Sequence, residues 1–255
     1  METGALTANL DVAQIVLYLF WFFFLGLILY IRREDRREGY PLEDERGVRK
    51  KQGLLFFPEP KTFVSFDGST VNKPDGLRDT REINGEPVAG FPGAPLAPTG
   101  DPMQAGIGPG SYAERANVPD VTPHGDNRIV PFRVDSSFSV APQDPDPRGM
   151  STIGADGKAG GQVVDIWVDR CEHMIRYLEV EVPGDTGSKR VLLPINFAKV
   201  GGESVKVESI YSHQFGGVPG LGNPDQVTRY EEERVVAYYG AGTLYADRKR
   251  QEPLF

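Results

Sequence analysis

GGQVVDIWVDRCEHMIRYLEVEV, residues 160–182, carries the alternation that decides the fold. In Gly160–Asp169 and again in Met174–Val182 apolar and polar side chains take turns, the period of a half-buried β-strand. Arg170–His173 between them reads as a short connection. Outward from this hairpin the theme repeats in RVLLP (Arg190–Pro194) and VKVESI (Val205–Ile210), each after a Gly- and Asp-containing turn. Short runs spaced about 8–15 residues apart predict a small antiparallel barrel or sandwich. DQVTRYEEERVVAYY then places apolar residues at helical spacing, so a helix is expected across Pro224–Ala237, stopped by the glycines of YYGAGTLYA.

Toward the N-terminus the pattern changes twice. Between Pro41 and Asp120, 11 Pro and 11 Gly fill 22 of 80 positions, a level usual for linkers. LLFF (Leu54–Phe57) and KTFVSF (Lys61–Phe66) would be wasted on a solvated tether. An extended coat whose apolar anchors bury in a partner is therefore slightly favoured over a spacer.

Val12–Ile31 reads VAQIVLYLFWFFFLGLILYI, 20 residues in which Gln14 is the only strongly polar side chain. At about 1.5 Å rise per residue such a helix spans about 30 Å, the hydrocarbon thickness of a bilayer. It lacks the polar stripe of a core helix, and its acidic start at Glu2 and Asp11 does not suit a cleaved signal peptide. A retained transmembrane helix is predicted. No Lys or Arg precedes it, whereas Arg32, Arg33, Arg36 and Arg37 follow. Basic flanks stay on the cytoplasmic side, so the N-terminus is expected outside and the bulk of the chain inside. The aromatic run Phe20–Phe24 circles the helix and suits either lipid or another membrane protein.

Composition removes several classes of function. The 255 residues carry a net charge of −8, which argues against nucleic acid as the main partner. A single cysteine, Cys171, excludes a disulfide framework and a multi-cysteine zinc cluster. No nucleophile elbow, metalloprotease or phosphate-loop motif occurs, and GIGPGS (Gly106–Ser111) and GAGTLY (Gly240–Tyr245) read as turns. Cys171, Glu172 and His173 adjoin on one turn and would point apart, a poor metal site. Asp165, Asp169, Glu172, Glu179 and Glu181 crowd the hairpin with Arg170 and Arg176 between them. By themselves they favour a solvated face with surface ion pairs worth under about 1 kcal/mol each. The other reading is a line of carboxylates drawn partly out of water, able to exchange protons near neutral pH.

The sequence resembles the H subunit of the photosynthetic reaction centre of purple bacteria. The residues that carry the resemblance are REGYPLE (Arg37–Glu43), PEPKTF (Pro58–Phe63), APTGDPM (Ala97–Met103), the HGxN segment (His124–Asn127), VVDIWVD (Val163–Asp169), Glu172, MxRxLEVE (Met174–Glu181) and LLP (Leu192–Pro194). It implies a mainly β chain: one transmembrane α-helix, then a cytoplasmic domain with a small antiparallel β-barrel core and extended Pro/Gly-rich segments. The expected organisation is a periplasmic N-terminus (1–11), the span (12–31), a membrane-proximal extended region (32–120), and a barrel domain with a C-terminal helix (121–255).

The resemblance further implies a non-enzymatic cap on the L and M subunits in the bacterial inner, chromatophore membrane. Bacteriochlorophyll, bacteriopheophytin, quinones and non-haem iron would lie in that core, none held by this chain. A cytochrome subunit, light-harvesting antenna and membrane lipids are further candidate partners, and nucleic acid is not. By position in the family, Glu172 is the leading proton relay to the secondary quinone, Asp169 its support and Arg176 its charge partner. His124 and Asp126 mark the proton entry, where relatives can carry two histidines. Asp126 stands at the second of these positions, with an ordinary pKa near 3.9 against about 6.5 for His. A membrane-anchored scaffold or binding protein with a cytoplasmic barrel is the alternative.

Overall fold

The computed structural model describes residues 5–7, 10–40, 42, 57–77, 80–91, 93–184 and 187–251. The chain divides into two units, Met1–Arg81 and Glu82–Phe255.

In the first unit β1 (Ala5–Thr7) and β2 (Leu10–Asp11) pair antiparallel ahead of α1 (Val12–Glu34). The Asp11 carboxylate accepts the Gln14 backbone N–H at 2.7 Å, one of the donors that a helix N-terminus leaves open. Gln14, the polar exception in the apolar run, donates its own side-chain amide to the Tyr18 hydroxyl at 2.8 Å. That bond pairs the polar side chain within the helix itself. None of the α1 side chains is buried, and the helix is long and apolar enough to cross a membrane. Phe20 stacks on Phe24 at 5.9 Å between centroids, and Trp21 packs edge-on against both.

A hairpin of β3 (Lys61–Val64) and β4 (Thr70–Lys73) completes this unit, with Phe63 opposite Val71. KTFVSF thus forms a strand and the start of its turn. Of the other expected anchors, Leu54, Leu55 and Phe56 lie outside the described residues, as do residues 43–50 of the charged run.

The second unit begins with a short antiparallel hairpin, β5 (Gly85–Pro87) with β6 (Leu96–Pro98). Its main sheet holds β7 (Ile129–Pro131), β8 (Ser151–Ile153), β9 (Ala159–Asp169), β10 (Met174–Gly184), β11 (Gly187–Pro194), β12 (Ala198–Val200) and β13 (Ser204–Val207). The order is β11-β10-β9-β8-β13-β12, with β7 also on β9. The long strand β9 is the axis. Along one edge it pairs with β10; on the other, β8 takes its first half (Ser151 opposite Gln162) and β7 its end (Pro131 opposite Trp167). Pairing is antiparallel as expected except between β8 and β13, which run parallel. Parallel neighbours need a long crossover, and the segment through β9 to β12 supplies it. The VKVESI strand stops at Val207, and Ile210 is buried beyond it.

Side chains alternate along β9, yet Asp165, Ile166, Trp167, Val168 and Asp169 are all buried. The apolar positions join Leu178, Val180, Val191, Leu193 and Val205 in the core. The polar positions face a second cover, described below.

α2 (Arg229–Tyr245) departs from expectation at both ends. It starts at Thr228, whose hydroxyl accepts the Glu231 N–H while the Glu231 carboxylate accepts the Thr228 N–H, a reciprocal cap. It then runs through the two glycines expected to stop it. A Cβ at Gly240 would stand 2.4 Å from the Pro109 carbonyl oxygen, and one at Gly242 2.4 Å from that of Ser209. These glycines admit neighbouring backbone to the helix wall, a packing demand that overrides their poor helix propensity. GIGPGS contributes the single turn Gly108–Gly110 near that contact, whereas GAGTLY, expected as a turn, is the last part of α2.

Gly242→Ala is accordingly expected to lower stability by about 1–3 kcal/mol through overpacking. Urea midpoints of the full chain in detergent, followed by near-ultraviolet circular dichroism, would measure it. Gly216→Ala, where a Cβ meets nothing within 4 Å, is the silent control.

Candidate functional site

The connection from β9 to β10 is only Arg170–His173, and Asp169 shapes it. One Asp169 carboxylate oxygen accepts the backbone N–H groups of Cys171 at 2.9 Å and Glu172 at 3.0 Å. His173 closes the turn in the left-handed region, φ 51°, with its ring edge-on to Phe138. Arg170 is drawn outward to Asp135 at 2.8 Å. Glu172 is thereby set at the lip of a cleft of about 360 Å³.

Arg128 is the hub of that cleft. Its Nε donates to both Asp169 oxygens at 2.9 and 3.0 Å, its Nη2 to Glu172 at 2.6 Å and its Nη1 to Asp120 at 3.4 Å. The backbone holds it there, since Arg128 N–H donates to the Asp120 carbonyl and the Arg128 carbonyl accepts from Arg170. Burial alone would push the Asp169 carboxyl up, but the Arg128 guanidinium and the two turn N–H groups outweigh it and hold the carboxyl below its ordinary range. Asp169 is a fixed charge.

The opposite wall comes from α2. Tyr177 on β10 donates its hydroxyl to Glu232 at 2.6 Å, and Glu233 pairs with Arg115 at 2.7 Å. Burial raises the Glu232 carboxyl above its ordinary value, against smaller opposing pulls from the Tyr177 hydroxyl and the charge of Arg176. Burial likewise drives the Tyr177 phenol far up, so it stays an O–H donor. Arg176 and Arg229 also line the cleft, and the Arg229 Nε is buried there without a hydrogen-bond partner.

Three of the expected site residues, Asp169, Glu172 and Arg176, therefore share one cleft. His124 and Asp126 do not line it. They sit on an exposed turn closed by Thr122 N–H to Asp126 carbonyl at 2.8 Å and Gly125 N–H to Thr122 carbonyl at 2.9 Å. The two ends of that turn, Asp120 and Arg128, do reach the cleft. Sequence reading missed Arg128, Asp120, Tyr177 and Glu232; the only local signal was that Arg128 directly follows the HGxN segment.

The remaining hairpin carboxylates form a separate cluster. Asp165 and Glu179 are buried under Arg133, which also pairs with Asp225 at 2.9 Å and donates to the Pro224 carbonyl. Trp167 Nε1 donates to Glu179 at 2.9 Å. Among the described residues no group of three His, Cys, Asp or Glu side chains is placed to hold a metal ion.

Asp169→Asn is expected to cost about 1–3 kcal/mol at neutral pH, because Arg128 loses its charged acceptor. The depressed carboxyl adds stability above its unfolded pKa near 3.9, and that contribution fades as pH falls through the lower folded value. Denaturation midpoints of wild type and variant should therefore converge in acid.

The fold and this cleft can be set beside known families. The family model described as Photosynthetic reaction centre, H-chain N-terminal region matches residues 4–134, which is 131 of the 255 residues. A PRC-barrel domain matches residues 143–214, which contain β8 to β13. The two matches follow one another in the order that the apolar helix and the β-rich domain require, and the chain belongs to the H-subunit family of the photosynthetic reaction centre.

Proposed function

We propose that this membrane-anchored subunit caps the L and M subunits from the cytoplasmic side, shields the quinone sites, and delivers protons to the secondary quinone through the cleft around Glu172. The N-terminus then lies in the periplasm and the barrel domain in the cytoplasm, as the arginines after α1 favour. The pigments, quinones and iron of the complex belong to the core. A quinone in such a core takes up two electrons and two protons, so its cover must exclude bulk water yet pass hydrogen ions.

The gathering of Asp169, Glu172, Arg176 and Glu232 around one cleft is the observation that supports this reading. The residues divide the work by their electrostatics. Asp169 and Arg128 stay charged and fix the turn. Glu172, half-exposed at the lip and bonded to Arg128, is the relay group where the cleft meets water. Glu232, its carboxyl raised by burial, can hold a proton closer to neutral pH than an ordinary carboxylate. Tyr177 orients it, and Arg176 tunes the field. Entry begins at the exposed His124–Asp126 turn, whose ends Asp120 and Arg128 lead to the cleft.

In the intact complex, Glu172→Gln and Glu232→Gln are each expected to slow proton-coupled second electron transfer by about 100-fold, with primary charge separation unchanged. Flash spectroscopy reads both steps; an unaltered second turnover in Glu172→Gln removes that residue from the path. Glu232→Gln should also relieve the cost of ionising a buried carboxyl, so it should be no less stable than wild type above neutral pH. Zinc ions should inhibit proton uptake less than in a relative with two histidines at the turn, because Asp126 replaces one ligand.

A further inference from the structure

We infer that the β3–β4 hairpin is a second membrane contact, seated in the headgroup layer of the bilayer beside the end of α1. The hairpin is bonded to the helix. Arg37, 9% exposed, donates to the carbonyls of Glu59 at 2.8 Å and Lys73 at 2.9 Å, at the two feet of the hairpin, and forks onto Glu34 at 2.8 and 2.9 Å. Lys61 at the start of β3 donates to the same Glu34 at 3.1 and 3.2 Å, and its ammonium stands 5.9 Å from the Tyr30 ring.

Tyr30 belongs to the apolar run itself. From Tyr30 to Glu34, the residue that Lys61 meets, the chain rises about 6 Å, within the polar layer of order 5–8 Å on each side of the hydrocarbon. β3 thus leaves the helix at the depth of the headgroups. Its surface suits that depth. Phe63, Val64, Phe66 and Val71 are 47, 72, 83 and 42% exposed, with Lys61 and Lys73 at the open end. Aromatic and aliphatic tips beside lysine stems are the composition of interfacial elements. Between hairpin and helix end lies a cavity of about 480 Å³ lined by Phe63 and Val71 together with Glu34, Arg37 and Lys73. Apolar groups beside charges of both signs fit a phospholipid at its glycerol level. The hairpin adjoins the apolar surface of α1, on which no residue is buried, and with lysines at the headgroup level this continuity favours lipid as the occupant.

The test uses the intact complex in phospholipid nanodiscs, with a spin label on Phe66→Cys in a Cys171→Ser background. Collisional access of oxygen against a water-soluble nickel chelate reports depth. A label roughly 5–10 Å below the water boundary is the expected result, with a label at the exposed Lys158 reading as aqueous. Nickel access equal to that at Lys158 would put the hairpin in water and overturn the inference. Low access to both agents would mean that another protein covers it, which overturns it equally.

Discussion

Taking a carboxylate out of water costs several kcal/mol unless a cation and hydrogen-bond donors replace the lost solvent. Three of them, Asp165, Asp169 and Glu179, are buried on β9 and β10; Arg128 answers for Asp169 and Arg133 for the other two, with Arg190 also 3.3 Å from Glu179. Arg128 comes just before β7 and Arg133 two residues after it. The pairing of Ile129 with Asp169 and Pro131 with Trp167 delivers these guanidiniums to opposite ends of the acidic face. A strand of three residues therefore decides the electrostatics of the sheet. Were β7 to slip by one position, each arginine would face the wrong way, and the carboxylates would be stranded.

The two ends differ in what they hold. Around Arg133 the guanidinium is shared among Asp165, Glu179, Asp225 and the Pro224 carbonyl, and the Trp167 N–H completes Glu179. Around Arg128 the same chemistry is left open, with Glu172 at the surface and a cleft that continues to Glu232. One is a clasp between the sheet and the segment before α2. The other sets Glu232, its carboxyl raised by burial, beside the fixed charges of Asp169 and Arg128.

Much of the fold was legible because its signals are local. Period-two alternation located β9, β10 and β11 nearly to their ends, and twenty apolar residues located α1. The cleft was legible only in part. Arg128 and Glu172 are 44 positions apart, and no spacing rule connects them; a three-residue strand with no strong pattern brings them together. Glu231, Glu232 and Glu233 look alike in sequence, yet the first caps the helix, the second meets Tyr177 and the third pairs with Arg115. Helix rotation sorts them, and rotation is a tertiary fact. The end of α2 was misread for the same reason: a glycine stops a helix when it must turn left-handed, and permits one when a neighbour must come close.

The crowding at Gly240 and Gly242 reaches further than the contact itself. With the Pro109 and Ser209 carbonyls lodged against its wall, and Arg250 bridging the Ser209 and Gly242 carbonyls, α2 has no room to roll or slide. Glu232 lies about 15 Å up the same rod, so the aim of its carboxyl is fixed by residues that have no acid or base of their own. Drift at those small positions would misalign the carboxyl without touching it, so the geometry of the cleft is set in part by backbone packing that lies outside it.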